Sequence, residues 1–141
     1  MENKLSSYHP IITDNFTWEF PTSYKLIDVE KFLNLNKDAT IKFISQRSKT
    51  LMRKKSITWI VSKKENQVIV SLIDLTNVDF STKSGDLSII LSNNLNYDEK
   101  NEIIDRLIYF LKEQISIVNI NLINSSEESK DLLSNNLNIR S

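Results

Sequence analysis

Cysteine is absent from this chain, which excludes disulfides and thiolate metal sites and is compatible with a reducing cytoplasm. Glycine occurs once, at Gly85, and proline twice, at Pro10 and Pro21. Turns must therefore rely on Asn, Asp and Ser, which tolerate left-handed and Asx-turn backbone better than other side chains do. The single histidine, His9, has no second imidazole or carboxylate cluster near it in sequence, so it reads as an exposed arm residue rather than a metal ligand or a base. Long apolar runs are missing too. The longest, Ile115 to Ile123, is interrupted by Ser116, Asn119 and Asn121, and Met1 to Pro10 lacks the apolar core of a signal peptide. The expectation is a cytoplasmic chain with no membrane span.

What remains is enough for one domain: 141 residues, 40% of them apolar and 26% charged. The formal net charge of zero hides an asymmetry. Residues 1–64 carry 12 of the 18 basic and 6 of the 18 acidic side chains, leaving 6 and 12 for the rest. The basic cluster Arg47, Lys49, Arg53, Lys54 and Lys55 invites a nucleic-acid or acidic-partner reading, but no aromatic platform is interleaved with it. A solvated helix face accounts for it better.

Residues 1–24 resist assignment and read as an extended arm or an irregular first strand. Leu26 to Leu35 is a short helix with Ile27, Phe32 and Leu33 as its apolar positions. Asp38 is placed to cap a second helix showing Ile41, Ile44, Leu51 and Met52 on one face. Ser56 to Val61 and Gln67 to Leu75 are rich in β-branched residues and flank the polar turn at residues 63–66, so they predict an antiparallel hairpin. Thr76 to Ser84 reads as a polar loop leading to a third strand, Asp86 to Leu91. A helix over Asp98 to Gln114 presents Ile103, Ile104, Leu107, Ile108 and Leu111 at helical spacing. The alternation in Ile117 to Ile123 predicts a half-buried strand, parallel to the Gly85 strand because a crossover helix separates them. Ser125 or Ser126 can cap a last helix, Glu127 to Asn135, burying Leu132 and Leu133; Leu137 to Ser141 is too short for another hairpin.

From Trp59 to Ile139 this order is similar to that of the GNAT acetyltransferases, closest to the branch of ribosomal-protein N-terminal acetyltransferases. The stretches that carry the resemblance are Trp59-Ile60-Val61, Leu75-Thr76-Asn77-Val78-Asp79-Phe80, Gly85-Asp86-Leu87-Ser88-Ile89-Ile90-Leu91, Glu102-Ile103 and Ser129-Lys130-Asp131-Leu132-Leu133. The resemblance implies an α/β domain over residues 1–141, with a mixed, mainly antiparallel sheet and helices on both faces. It also implies acetyl-CoA as cofactor, held by strand backbone near Ile90 and Leu91 and by a glycine-rich loop at the next helix start. At that loop position stand Tyr97, Asp98, Glu99, Lys100 and Asn101, with no glycine. A Cβ keeps phosphate from backbone amides, and a carboxylate about 5 Å from phosphate opposes binding by about 3 kcal/mol at an effective dielectric of about 20.

Two function classes follow. One is a degenerate GNAT-like protein acting through protein contacts, with no cofactor. The other is an active acyl-CoA-dependent N-acetyltransferase with an atypical loop, where Lys100 meets phosphate. Nucleic-acid binding through the basic helix is a third, weaker class. The resemblance transfers no catalytic acid or base; Glu65, Asp74 and Asp79 are expected to be solvated surface carboxylates. Family members continue into a strand pair where this sequence reaches Ser141, so a sheet edge after Ile123 is expected to need cover, for example from a second copy of the chain.

Overall fold

The computed structural model describes residues 10–140, which places His9 and Ser141 outside the described residues. Seven strands form one sheet in chain order, β1 (Ile11–Ile12), β2 (Phe16–Glu19), β3 (Ile57–Lys63), β4 (Ile69–Asp79), β5 (Ser84–Leu91), β6 (Asn119–Asn124) and β7 (Asn138–Arg140). Neighbours from β1 to β5 are antiparallel, and β5, β6 and β7 run parallel. Of the predicted irregular start, residues 1–9 lie outside the described residues and the rest forms β1, β2 and a 3-10 turn at Pro21–Ser23.

Alternation along the strands divides the apolar side chains between the two faces. Trp59, Val61, Ile73, Leu75, Leu87 and Ile89 join Ile103, Ile104, Leu107 and Leu111 of α3 (Tyr97–Tyr109) and Leu133 of α4 (Glu127–Ser134) in the larger core. Trp18, Trp59 and Phe110 pack edge to face within it, with centroids 5.9 and 6.0 Å apart. On the opposite face Ile60 and Leu72 meet Val29 of α1 (Leu26–Leu33) and, at its margin, Phe43 and Ile44 of α2 (Lys37–Met52). Helices therefore lie on both faces, as expected. Gly85 is a packing glycine: a Cβ there would sit 2.9 Å from Leu75 Cδ1.

The hairpin, the apolar face of α3 and the parallel β5–β6 crossover stand as the sequence predicts. Elsewhere the structure corrects the reading. Asn36, not Asp38, caps α2, accepting from Ala39 N at 2.8 Å. The sheet-facing stripe of α2 starts at buried Thr40 and passes through half-buried Ile44, Arg47 and Leu51. Ile41, one position off that stripe, is 45% exposed, and Met52, at the helix end, is 81% exposed. Ile27 is likewise exposed, because Val29 is the α1 residue that faces the sheet. The predicted loop at Thr76 to Ser84 shrinks to residues 80–83, since β4 continues through a bulge at Asn77, whose φ is 50°. α3 ends in a π turn, Phe110–Gln114, closed by Ile115 N donating to Phe110 O at 3.0 Å. Finally, residues 138–140 form a parallel strand, brought alongside β6 by α4. β7 covers the expected open edge at Asn119–Asn121 but not beyond it.

Candidate functional site

The strand-loop-helix step from β5 to α3 is built by Ser92 and Asn96. Ser92 N donates to Val70 O, and its Oγ and carbonyl accept from Asn94 N (3.2 Å) and Leu95 N (3.3 Å), folding the loop over buried Leu95. Asn96 is the N-cap. Its Oδ1 accepts from Glu99 N at 2.8 Å, while Glu99 Oε1 accepts from Asn96 N at 3.0 Å, a complete capping box. The helix therefore begins one residue before the predicted start at Asp98, which stands exposed in the first turn beside the positive end of the helix dipole. The pattern Asn-x-x-Glu that marks the box was present in the sequence.

In residues 94–100 the amides of Asn94, Leu95, Asn96, Glu99 and Lys100 all bond within the chain. Tyr97 and Asp98 are the two whose N–H has no acceptor among the described residues. The nearby cations are engaged as well. Lys100 Nζ lies 2.8 Å from Glu128 Oε1, linking the first turns of α3 and α4, and Lys63 Nζ lies 3.6 Å from Glu99 Oε2. Tyr97 is 62% exposed, and Asn101 is half-buried one turn into the helix. Of the residues singled out, Tyr97, Asp98, Glu99, Lys100 and Asn101 therefore share one helix start, where Glu99 and Lys100 have protein partners and, among the described residues, the Tyr97 and Asp98 amides do not.

Ile90 and Leu91 belong to a neighbouring feature. β5 pairs with β6 as far as Ser88 opposite Asn124, with a register shift that leaves Ile123 as the extra residue. On its other side β5 stays paired with β4 to Leu91 opposite Ser71. β6 ends at Asn124, and among the described residues the β6-side edge of Ile89–Leu91 is left without a strand partner. Bulges of this kind commonly end pairing beside binding sites. The edge offers backbone donors and acceptors to an extended, amide-bearing chain.

The remaining carboxylates differ from expectation in one case. Glu65 is exposed, and Asp79 is exposed and caps its own turn; the Ser81 hydroxyl, then the Thr82 and Ser81 amides, hold its pKa below the usual carboxylate value. Asp74 is not a surface residue. It is 7% exposed, accepts from Arg47 Nε and Thr58 Oγ1 at 2.9 and 2.8 Å, and pairs with Arg47 Nη2 at 2.9 Å. This removes Arg47 from the basic cluster, whose other members, Lys49, Arg53, Lys54 and Lys55, are exposed as a solvated face requires. Among the described residues no group of three His, Cys, Asp or Glu is placed to hold a metal ion, and no helix is long and apolar enough to cross a membrane.

No family sequence model matches the chain, and no curated protein sequence does. Solved structures do. A ribosomal-protein-S5-alanine acetyltransferase from Vibrio fischeri superposes with a TM-score of 0.72 at 11% identity, over 91% of this chain and 81% of that one. The microcin C7 self-immunity acetyltransferase, solved with acetyl-CoA and AMP, gives 0.64 at 15% identity over 85% and 76%. A dodecameric spermidine N-acetyltransferase from Vibrio cholerae gives 0.62 at 14% identity over 87% and 78%. The chain has the GNAT acetyltransferase fold.

Proposed function

We propose that this GNAT-fold chain works by binding a protein partner, with acyl-CoA binding weakened or lost. The observation that carries this reading is the self-satisfied start of α3. Five of the seven amides from Asn94 to Lys100 are bonded within the chain, and Asp98 and Glu99 add negative charge where the fold's cofactor would bring a pyrophosphate. Fold alone does not carry an activity, and here the local chemistry argues against the usual one.

The end of β6 pairing at Ser88 supports a second reading, an acyl-CoA-dependent N-acetyltransferase that holds the amide-rich arm of the cofactor on the Ile89–Leu91 edge and binds its phosphates loosely. Titration calorimetry with CoA and acetyl-CoA separates the two. The binding reading expects no heat with ligand near 1 mM, whereas a dissociation constant of about 1 to 100 μM establishes the cofactor site and overturns it.

A further inference from the structure

Among the described residues, no helix lies over β5, β6 and β7 on the face of the sheet that carries α1 and α2. There a groove of about 1070 Å³ opens, lined among others by Asn77, Asp86, Asn121, Asn138 and Arg140. This is the volume of a small-molecule site. Asp86, Asn121 and Arg140 form one row across the three strands, each the register partner of the next.

The orientation of the amides in this groove follows from their partners. Asp86 Oδ2 and Oδ1 accept from Asn77 Nδ2 at 2.7 Å and from Asn121 Nδ2 at 3.2 Å. A carboxylate only accepts, so both side-chain oxygens must turn away from it. Asn119 Nδ2 donates to Thr82 O at 3.0 Å, which leaves its oxygen to accept from Asn138 Nδ2 at 2.9 Å and turns the Asn138 oxygen outward. Asn77, Asn121 and Asn138 have thus committed a nitrogen to the protein and kept an oxygen for a ligand donor. At the two ends of the row stand charges of opposite sign, and among the described residues neither Asp86 nor Arg140 has an ion pair.

We infer that this groove binds a zwitterionic short peptide, with the ammonium group on Asp86, the carboxylate on Arg140 and peptide N–H groups on the Asn121 and Asn138 oxygens. The length fits. Two strand spacings separate β5 from β7 by about 10 Å, and an extended tripeptide spans about 10 Å. Asp86 lies three residues before Ile89, about 10 Å along the strand from the unpaired edge, so this site does not depend on whether that edge takes a cofactor.

The test is titration calorimetry with triglycine, triglycine amide and N-acetyl-triglycine, on the parent, Asp86→Asn and Arg140→Gln. Triglycine is expected to bind the parent, and blocking either peptide end or making either substitution weakens binding by about tenfold or more. Melting temperatures of the variants should match the parent, since both side chains reach the open groove. The proposal is overturned if triglycine shows no binding at about 10 mM, or if the blocked peptides bind as well as triglycine. Self-association that Asp86→Asn abolishes, without triglycine binding, would assign the groove to a second copy of the chain and equally overturn it.

Discussion

Asp74 and Asp86 sit on adjacent strands and the same face of the sheet, each followed by a leucine, and those leucines, Leu75 and Leu87, are register partners. Their surroundings could hardly differ more. α2 lies over Asp74, which is buried and held by Arg47 and Thr58. Among the described residues no helix reaches Asp86, whose side chain is held by the amides of Asn77 and Asn121. Equivalent local sequence thus yields a structural ion pair in one place and an open polar row in the next. The difference is made by an element more than twenty residues upstream of either.

The contrast predicts a graded response when carboxylates are removed, read from urea midpoints. Asp74→Ala should have the largest effect, about 3 to 5 kcal/mol, because Arg47 is left charged and partly buried without its partner. Replacing both partners, Asp74→Leu with Arg47→Met, should recover most of that loss. A single variant with an unchanged midpoint would show that Asp74 is solvated and break the comparison. Glu99→Ala comes next: it opens the capping box of α3 and should cost about 0.5 to 2 kcal/mol.

Glu102 is intermediate. It ties the β1–β2 turn to α3 through Thr13 Oγ1 (2.5 Å), Asn15 Nδ2 (2.6 Å) and Asn15 N (2.9 Å). Desolvation pushes its pKa up, but these hydrogen bonds and the charge of Lys64 outweigh it and hold the folded value below the usual one. A depressed pKa contributes stability that is complete above the unfolded value of about 4.3 and is lost as pH falls through the folded value. The midpoint difference between the parent and Glu102→Gln should therefore be constant above about pH 5 and shrink steadily below about pH 4. A difference that does not change over this acid range would mean that the contact forms equally well with the protonated acid. The smallest effect belongs to Asp86→Asn, within about 0.5 kcal/mol of the parent. A larger loss would mean that the row across β5 to β7 is structural, and would erase the distinction from Asp74.

These cases also mark what was legible beforehand. The hairpin and α3 could be read because β-branched runs and helical spacing report burial through local pattern alone. The α1/α2 face could not be read as well: Thr40 and Arg47 occupy its sheet-facing stripe while Ile41 and Met52 point out, so polarity misleads there. The three residues of β7 are too few to show any period; their strand exists because α4 delivers them beside β6. At the candidate site the missing glycines were visible, and so was the Asn96-x-x-Glu99 signature. The engagement of Lys100 by Glu128 and the opposed charges of Asp86 and Arg140 depend on pairs brought together by the fold, about which a local pattern is silent.

The scarcity of glycine has its own consequence in the backbone. Among the described residues six with side chains, Asn34, Lys54, Gln67, Asn77, Lys83 and Ser116, hold positive φ values between 50° and 61°, and they sit at helix ends, turns and a strand bulge. Left-handed backbone costs an L-residue about 1 to 2 kcal/mol, less for asparagine, whose side chain bonds locally. The corners of this fold are therefore under steric load, while its layers hold the apolar core. The free energy that these bends cost is subtracted from what the apolar layers supply, so the fold's margin of stability is set at its corners as well as in its core.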